Sequence, residues 1–338
     1  MANEKTTLND VARKMGISKM TVSRAINHPE KVNHKTLDRI LKTMKELDYK
    51  PKFVARVLAG RDSKTIGFFI KPNRDFVIPP FYGECVKGAT DWLKILDYKT
   101  LLFNASEKNS KLLFLDYMNS GLIDGAVVFE GSYDEELLAT FKNNNIPAVL
   151  VGEKINGPFK IPTISTDNYT GSRKAVSHLI DTGARKIVHL TGTGTKPSYR
   201  ERIKGYTDVL EENGLSPRII KTENTIEGGM PGMEILQESA GDFDALFCFS
   251  DLVAWGALKK CYDLSISVPG EIKIIGFDNI SISQYMSPSL STISQNMKEM
   301  ARHAAGMLIQ IISGKRPERN EITLDPELII RESTQYPL

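Results

Sequence analysis

Cysteine is scarce: the 338 residues contain only Cys85, Cys248 and Cys261, with no C-x-x-C pair. An odd, scattered set offers neither a disulfide framework nor a thiolate zinc site and suits a reduced, cytoplasmic setting. The five histidines never take H-E-x-x-H spacing, so no metal site is expected. No apolar run approaches the roughly 18 residues of a membrane span, and the N-terminus lacks the apolar stretch of a secretory signal. Membrane insertion and export are therefore not expected. Gly192-Thr193-Gly194 lacks the third glycine of G-x-G-x-x-G, and G-x-x-x-x-G-K-[ST] is missing altogether. No spacing sets a nucleophile beside a base, so neither catalytic residues nor a cofactor are expected, and a nucleotide-dependent enzyme is a remote alternative.

With 41% hydrophobic and 25% charged residues, a chain of this length reads as globular, with two or three domains. The net charge of +3 hides an asymmetry. Residues 1–61 carry 14 Lys and Arg against 6 Asp and Glu, a net +8, whereas the remainder carries 30 against 35, a net −5. A short basic segment on an acidic body can neutralise phosphates while the body stays clear of the same polyanion.

That basic segment contains TLNDVARKMGISKMTVSRAIN, Thr7 to Asn27. Leu8, Val11, Ala12 and Met15 recur at helical spacing, Gly16 breaks the pattern, and Ile17 is a candidate plug. Ser18 can cap a second helix whose Val22, Ala25 and Ile26 face inward. Lys19, Met20, Thr21, Ser23, Arg24 and Asn27 are left pointing outward. This is the layout of a helix-turn-helix, whose second helix enters the major groove of duplex DNA; the alternative is a solvated helical hairpin. Asn33 can cap a third helix with Leu37, Ile40, Leu41, Met44 and Leu47 on one stripe. Pro51 then marks a boundary, and Phe53 to Gly60 could form about two helical turns, ordered only against a partner.

From Thr65 onward, short apolar runs such as TIGFFI, GAVVF, KIVHLTG and IKIIGFDN alternate with helix-length amphipathic segments. The alternation predicts a parallel sheet covered by helices, and its restart after Pro162 predicts a second lobe. Helices are expected around 83–96, 110–118, 135–143, 172–179, 201–212, 233–237, 253–262 and 297–312.

The chain closely resembles the lac-repressor (LacI/GalR) family of bacterial transcription regulators. The resemblance rests on the 7–27 segment, V-x-x-x-T from Val32 to Thr36, LDYKP at 47–51, A-x-x-L-A-G at 55–60, TIG at 65–67, R-x-x-G-Y at 202–206, SDLVAWGAL at 250–258, IIGFDN at 274–279 and PSLSTI at 288–293. It implies an α/β protein with a three-helix headpiece at 1–50, a hinge helix at 51–62, and a two-lobed core at 63–338 like periplasmic binding proteins. Lobe 1 would span about 63–162 and 292–323, and lobe 2 about 163–291 and 324–338, with three crossovers near 162, 291 and 324. It further implies a homodimer on a pseudo-palindromic operator. The absence of a leucine-heptad tail after Arg331-Glu332-Ser333 disfavours a tetramer.

By position, the resemblance implies base reading by Lys19, Met20 and Arg24, and backbone contacts by Thr7, Ser18, Thr21, Ser23, Asn27, Asn33 and Thr36. Leu58 matches a hinge leucine that wedges into the minor groove, or else packs between helices. Lys52 stands where relatives usually carry Asn, leaving a phosphate or groove contact. Arg202 and Asp278 match effector contacts, and a guanidinium and a carboxylate suit a polyol, so the expected effector is a sugar or sugar derivative. Ser198 lies nearby. Phe81 and Tyr82 are weaker candidates, and Asp251 is either an effector contact or a helix cap. Glu227 occupies a place often held by an aromatic, as a true replacement or through a shifted loop. The implied function is a DNA-binding transcriptional repressor under small-molecule control, with effector-dependent activation or corepression as the alternative.

Overall fold

The computed structural model describes residues 6–27, 31–47, 49, 62–72, 78–106, 109–152, 159–194, 196–230 and 243–335. The chain divides into two compact units, residues 1–65 with 115–124, and 66–114 with 125–338. The expected hinge helix, with Lys52 and Leu58, and the helix expected at 233–237 lie outside the described residues.

In the first unit, α1 (Leu8–Met15) begins where the Thr7 amide and hydroxyl both donate to Asp10 Oδ2, at 2.8 and 2.6 Å. This is half of a capping box, and these bonds hold the Asp10 carboxyl below its ordinary range. Gly16 ends the helix at φ 66°, a left-handed conformation that glycine adopts without a Cβ penalty. Ser18 Oγ accepts from the Thr21 amide at 3.0 Å and starts α2 (Lys19–Asn27). Asn33 Oδ1 accepts from the Lys35 amide at 2.9 Å and starts α3 (His34–Glu46). Val11, Ala12, Val22, Ala25, Ile40, Met44 and Tyr49 form the buried core. Leu41, expected inside, is 52% exposed. Ile40 takes the inward position, and the next residue is turned about 100° away from it.

In the second unit, the first sheet has the order β11 (Glu321–Leu324), β5 (Thr163–Thr166), β4 (Ala148–Val151), β3 (Gly125–Phe129), β1 (Thr65–Ile70), β2 (Lys99–Asn104). The pairs from β11 through β1 are parallel. β1, β3 and β4 are apolar and buried along their whole length because helices cover both faces. Those helices are α4 (Pro80–Ile95), α5 (Ser110–Asn119), α6 (Glu135–Asn143) and α10 (Met297–Ile312). The second sheet, β7 (Arg218–Thr222), β6 (Ile187–Gly192), β8 (Ala245–Cys248), β9 (Lys273–Ile275), is parallel throughout. α7 (Asn168–Asp181) and α8 (Pro197–Glu212) bury Val176, Leu179, Tyr206 and Leu210 against one face, with Phe247 and Ile275. α9 (Asp251–Asp263) buries Val253, Ala254 and Ala257 with Val188, Leu246 and Ile274 on the other. β10 (Thr292–Ser294) and β12 (Glu327–Ile329) form an antiparallel pair, tied to the second sheet by bridges from Ile275 to Ser291 and from Asp278 to Ser294.

The chain passes between the sheets three times: from β5 into α7, from β10 into α10, and from β11 into β12. The first two passages come a few residues later than the expected 162 and 291, because β5 and β10 are strands in their own right. The α8 helix also starts four residues before the expected Glu201, since Pro197 fits a first helical turn.

One hydroxyl ties α8 to two strands: Tyr206 Oη donates to Ile187 O at 2.7 Å and accepts from the Arg218 amide at 2.8 Å, fully buried. Tyr206→Phe should therefore cost about 1–3 kcal/mol, because buried polar partners are left unsatisfied. The expected result is a lower urea midpoint with unchanged slope; an unaltered midpoint would show that the hydroxyl contributes nothing.

Candidate functional site

The outward surface of α2 gathers the sequence-selected positions. Lys19, Met20 and Arg24 are exposed, Met20 at 68%, while Thr21 and Ser23 are half-buried beside them. Met20 carries an apolar side chain into solvent although the helix has an apolar face available, so its place is not set by the core. Ser18 Oγ lies 2.9 Å from Thr21 Oγ1, which fixes both hydroxyls at the helix start. Thr7 and Asn33 are engaged as helix starts, and Thr36 is half-buried on the first turn of α3. Asn27 closes α2. Lys19, Met20, Thr21, Ser23 and Arg24 thus give α2 an outer surface that is partly basic and outside the headpiece core.

A second candidate site is a cavity of about 290 Å³ in the second unit. Its lining comes from the ends of strands in both sheets, Lys71 after β1, Glu130 after β3, Asn224 after β7, Phe249 after β8 and Asp278 after β9, and from Gln295 after β10 of the antiparallel pair. Ligands in α/β folds collect at such ends because helix starts and loop amides converge there. Phe81, Tyr82, Ser198, Arg202 and Asp278, all selected from sequence, line this cavity together.

Arg202 is buried and held from three sides. Its Nε donates to Asn168 Oδ1 at 2.9 Å, its Nη1 donates to Phe249 O, and its guanidinium stands 3.7 Å over the centroid of the Phe277 ring. Asp278 Oδ1 lies 4.0 Å from Nη1, beyond hydrogen-bond reach, and accepts from Gln295 Nε2 at 2.5 Å. Burial pushes the Asp278 carboxyl well up, against the pull of Arg202, and burial likewise lowers the guanidinium. Asp278 also sits at φ 126°, a conformation costly for a residue with a Cβ and concentrated in ligand clamps. From beside the pair, in the cavity, a hydroxyl has the chemistry to accept from the guanidinium and donate to the carboxylate.

Across the cavity, Ser198 Oγ donates to Glu130 Oε1 at 2.7 Å, so the second sheet's α8 touches the loop after the first sheet's β3. Tyr82 Oη donates to Glu130 O at 2.9 Å, and its ring meets Phe81 edge-on at 5.5 Å and Phe129 at 5.0 Å. Desolvation pushes the Tyr82 phenol up, so it remains a neutral donor.

Two expected residues are elsewhere. Asp251 is fully buried, with Oδ1 accepting from Thr292 Oγ1 at 2.6 Å and Oδ2 from the Ile280 amide at 2.9 Å. It does not line the cavity, and the cap of α9 is Ser250, which accepts from the Val253 amide. Glu227 is exposed on a helical turn at 226–230; from this segment it is Asn224 that reaches the cavity, with Oδ1 accepting from Ser250 Oγ at 2.6 Å. Glu130, Asn224 and Gln295 were not selected from sequence. Their signal was position, each lying one or two residues past a strand. Among the described residues no cluster of three or more His, Cys, Asp or Glu could hold a metal, and no helix is long and apolar enough to cross a membrane.

Comparison with known proteins agrees with this geometry. Residues 7–52 match the family model for bacterial regulatory proteins of the lacI family, and residues 176–334 that for a periplasmic binding protein-like domain. The HTH-type transcriptional repressor CytR of Escherichia coli strain K12 is 31% identical over 339 residues, covering 97% of this chain and 96% of the relative. Among solved structures, a complex of the transcriptional regulator CelR with cellobiose superposes with a TM-score of 0.72 at 26% identity, covering 97% of this chain and 99% of the other. The lac repressor dimer bound to operator and the anti-inducer ONPF superposes with a TM-score of 0.85 at 23% identity, covering 98% and 100%. The chain therefore belongs to the lacI family of bacterial regulatory proteins.

Proposed function

We propose that the protein is a cytoplasmic, homodimeric repressor of transcription that reads a pseudo-palindromic operator through α2 and is released or recruited by a carbohydrate bound in the cavity of the core. The observation that carries the effector half is the Arg202–Asp278 arrangement. A fixed guanidinium fork and a buried carboxylate, 4.0 Å apart and flanked by Tyr82 and Phe81, present both hydrogen-bond senses that vicinal hydroxyls need. The CelR complex with cellobiose supports the ligand class, and the operator-bound lac repressor dimer supports the assembly. Two-fold symmetry in the protein implies two-fold symmetry in the operator. Lys52 and Leu58 are assigned to the phosphate or groove and the minor-groove step respectively. Effector binding shifts DNA affinity only by the ligand's differential affinity for the two states, ordinarily about 1–3 kcal/mol.

The test begins with an operator obtained by in vitro selection on the full-length protein. Arg24→Ala should cost about 1–3 kcal/mol on that operator and relax preference at one base pair, while Lys52→Ala should weaken all DNA alike and flatten the salt dependence. Equal losses on operator and random DNA for both variants would overturn the division of labour.

For the cavity, titration calorimetry with a sugar panel should give heat for the wild type and none for Asp278→Asn, with operator affinity unchanged. The carboxylate form accepts hydroxyls and its pKa is raised by burial. Sugar affinity should therefore fall as pH drops while still well above the ordinary carboxylate range near about 4. A pH-independent affinity across that span would exclude Asp278 as the acceptor.

A further inference from the structure

Arg202 and Asp278 are each tied to a passage of the chain between the two sheets, and the two ties meet. On one side, Arg202 Nε donates to Asn168 Oδ1 at 2.9 Å, and Asn168 Nδ2 donates to Thr166 O at 3.1 Å, at the passage from β5 into α7. On the other, Asp278 Oδ1 accepts from Gln295 Nε2 at 2.5 Å, and Gln295 stands between β10 and α10. Thr166 Oγ1 then donates to Gln295 O at 3.3 Å, which joins the two arms. With Arg202 Nη1 4.0 Å from Asp278 Oδ1, these bonds close a ring on the pair. All five residues are buried, and the Asn168 amide is engaged at both its oxygen and its nitrogen, which fixes its orientation. Neither Thr166 nor Asn168 lines the cavity of Arg202 and Asp278; both border a second one, of about 390 Å³. The third passage is laced to the other two outside the ring: the Asp167 amide donates to Leu324 O at 3.0 Å, and Asn296 Nδ2 donates to Asp325 O at 3.1 Å.

We propose that Thr166 is a positioning residue for the effector contacts: its carbonyl, through Asn168, and its hydroxyl, through Gln295, make the separation of Arg202 and Asp278 follow the geometry of the passages between the sheets. The inference rests on the carbohydrate reading above and deepens it. Any rotation of one sheet against the other turns backbone dihedrals at the passages, because these are the covalent links between them. In a closed ring that change shifts the two arms against each other. With the Thr166–Gln295 bond cut, each arm follows its own passage. A sugar that meets both charges favours one separation, so it discriminates between sheet arrangements, and that discrimination is the coupling to DNA.

The test measures the affinity of the full-length protein for the selected operator by fluorescence anisotropy, with and without glucose, galactose, ribose, cellobiose, maltose and lactose. For the sugar that gives heat in calorimetry, the ratio of the two dissociation constants is the readout; an ordinary coupling makes it about 5- to 150-fold in the wild type. Thr166→Val keeps the volume and removes the hydroxyl, and it should bring the ratio about two- to tenfold closer to one, the range of one buried hydrogen bond. Thr166→Ser should restore it. Asn296→Gly removes a bond between passages but leaves the ring closed, and glycine suits the φ of 53° there, so the ratio should stay at the wild-type value. If Thr166→Val does not fold, Asn168→Asp serves instead: it keeps an acceptor for Arg202 Nε, loses the donor to Thr166 O, and should lower the ratio in the same way. A ratio unmoved by Thr166→Val or Asn168→Asp, lowered as much by Asn296→Gly, or left low in Thr166→Ser overturns the positioning role, while sugar binding keeps the carbohydrate reading standing. A wild-type ratio of one with sugar bound overturns it likewise. Absence of binding by every sugar overturns the carbohydrate reading and the positioning role together.

Discussion

The architecture of the core depends on the burial of one guanidinium. Arg202 is 6% exposed, and an ionised group in such surroundings is tolerated only when its donors are met. Its partners come from three places: Asn168 at the start of α7, Phe249 O at the end of β8, and the Phe277 ring after β9. Meeting Arg202 therefore fixes α8 against the helix beside it and against two strand ends at once. The R-x-x-G-Y motif completes the seat. Gly205 sits where a Cβ would be 2.5 Å from Tyr169 O, so α8 and α7 can approach closely, and Tyr206 reaches past them to the backbone of β6 and β7. One helical turn thus supplies the cavity-lining charge, the close helix contact and the tie to the sheet.

A second buried charge organises the passage between the sheets. Asp251 binds the Thr292 hydroxyl and the Ile280 amide, and its own amide donates to Phe277 O at 2.8 Å. The segments on either side of Asp278 are therefore held by the start of α9. This explains how a non-glycine residue keeps φ 126°: its neighbours are bonded on both sides, so relaxing it would break a buried network. Gly276 belongs to the same arrangement, since a Cβ there would meet Asp251 Oδ1 at 2.2 Å. SDLVAWGAL, IIGFDN and PSLSTI, separate in sequence, are three walls of one polar bracket. Burial raises the Asp251 carboxyl, and the bonds from the Thr292 hydroxyl and the Ile280 amide pull it back down.

The headpiece was almost entirely legible because its signals are local: Thr7, Gly16, Ser18 and Asn33 act within three residues of themselves. Leu41 failed because a stripe read from spacing takes no account of how narrow the contact between three short helices is. In the core, strands built from aliphatic runs were legible, whereas β5 was not. Its sequence, Thr163 to Thr166, has one aliphatic residue yet all four are buried, because it is laddered to a strand on either side and Thr166 Oγ1 finds its partner far along the chain at Gln295 O. Such a strand carries no periodic signal. The same non-locality hid Gln295 and Glu130, whose roles depend on what a distant sheet brings opposite them. Asp251 was ambiguous for a different reason. A helix-start aspartate is the same in sequence whether it caps, binds ligand or brackets, and only its partners decide.

The two sheets meet through contacts of unequal accessibility to a ligand. Ser198 Oγ to Glu130 Oε1 lies in the wall of the first cavity, whereas the Ser281 amide and hydroxyl donate to Glu84 Oε1, at 2.5 and 2.7 Å, outside it. Leu252 and Ile280 add apolar contact with the first sheet's cluster. A polar effector can compete directly with the Ser198–Glu130 bond and leave the Glu84 contact in place. A hydrogen bond of this kind contributes about 0.5–1.5 kcal/mol net, the same order as an ordinary allosteric coupling of about 1–3 kcal/mol. The buried Arg202 network joins α7, α8 and the ends of β8 and β9, so loss of the Ser198–Glu130 bond leaves those elements tied to one another.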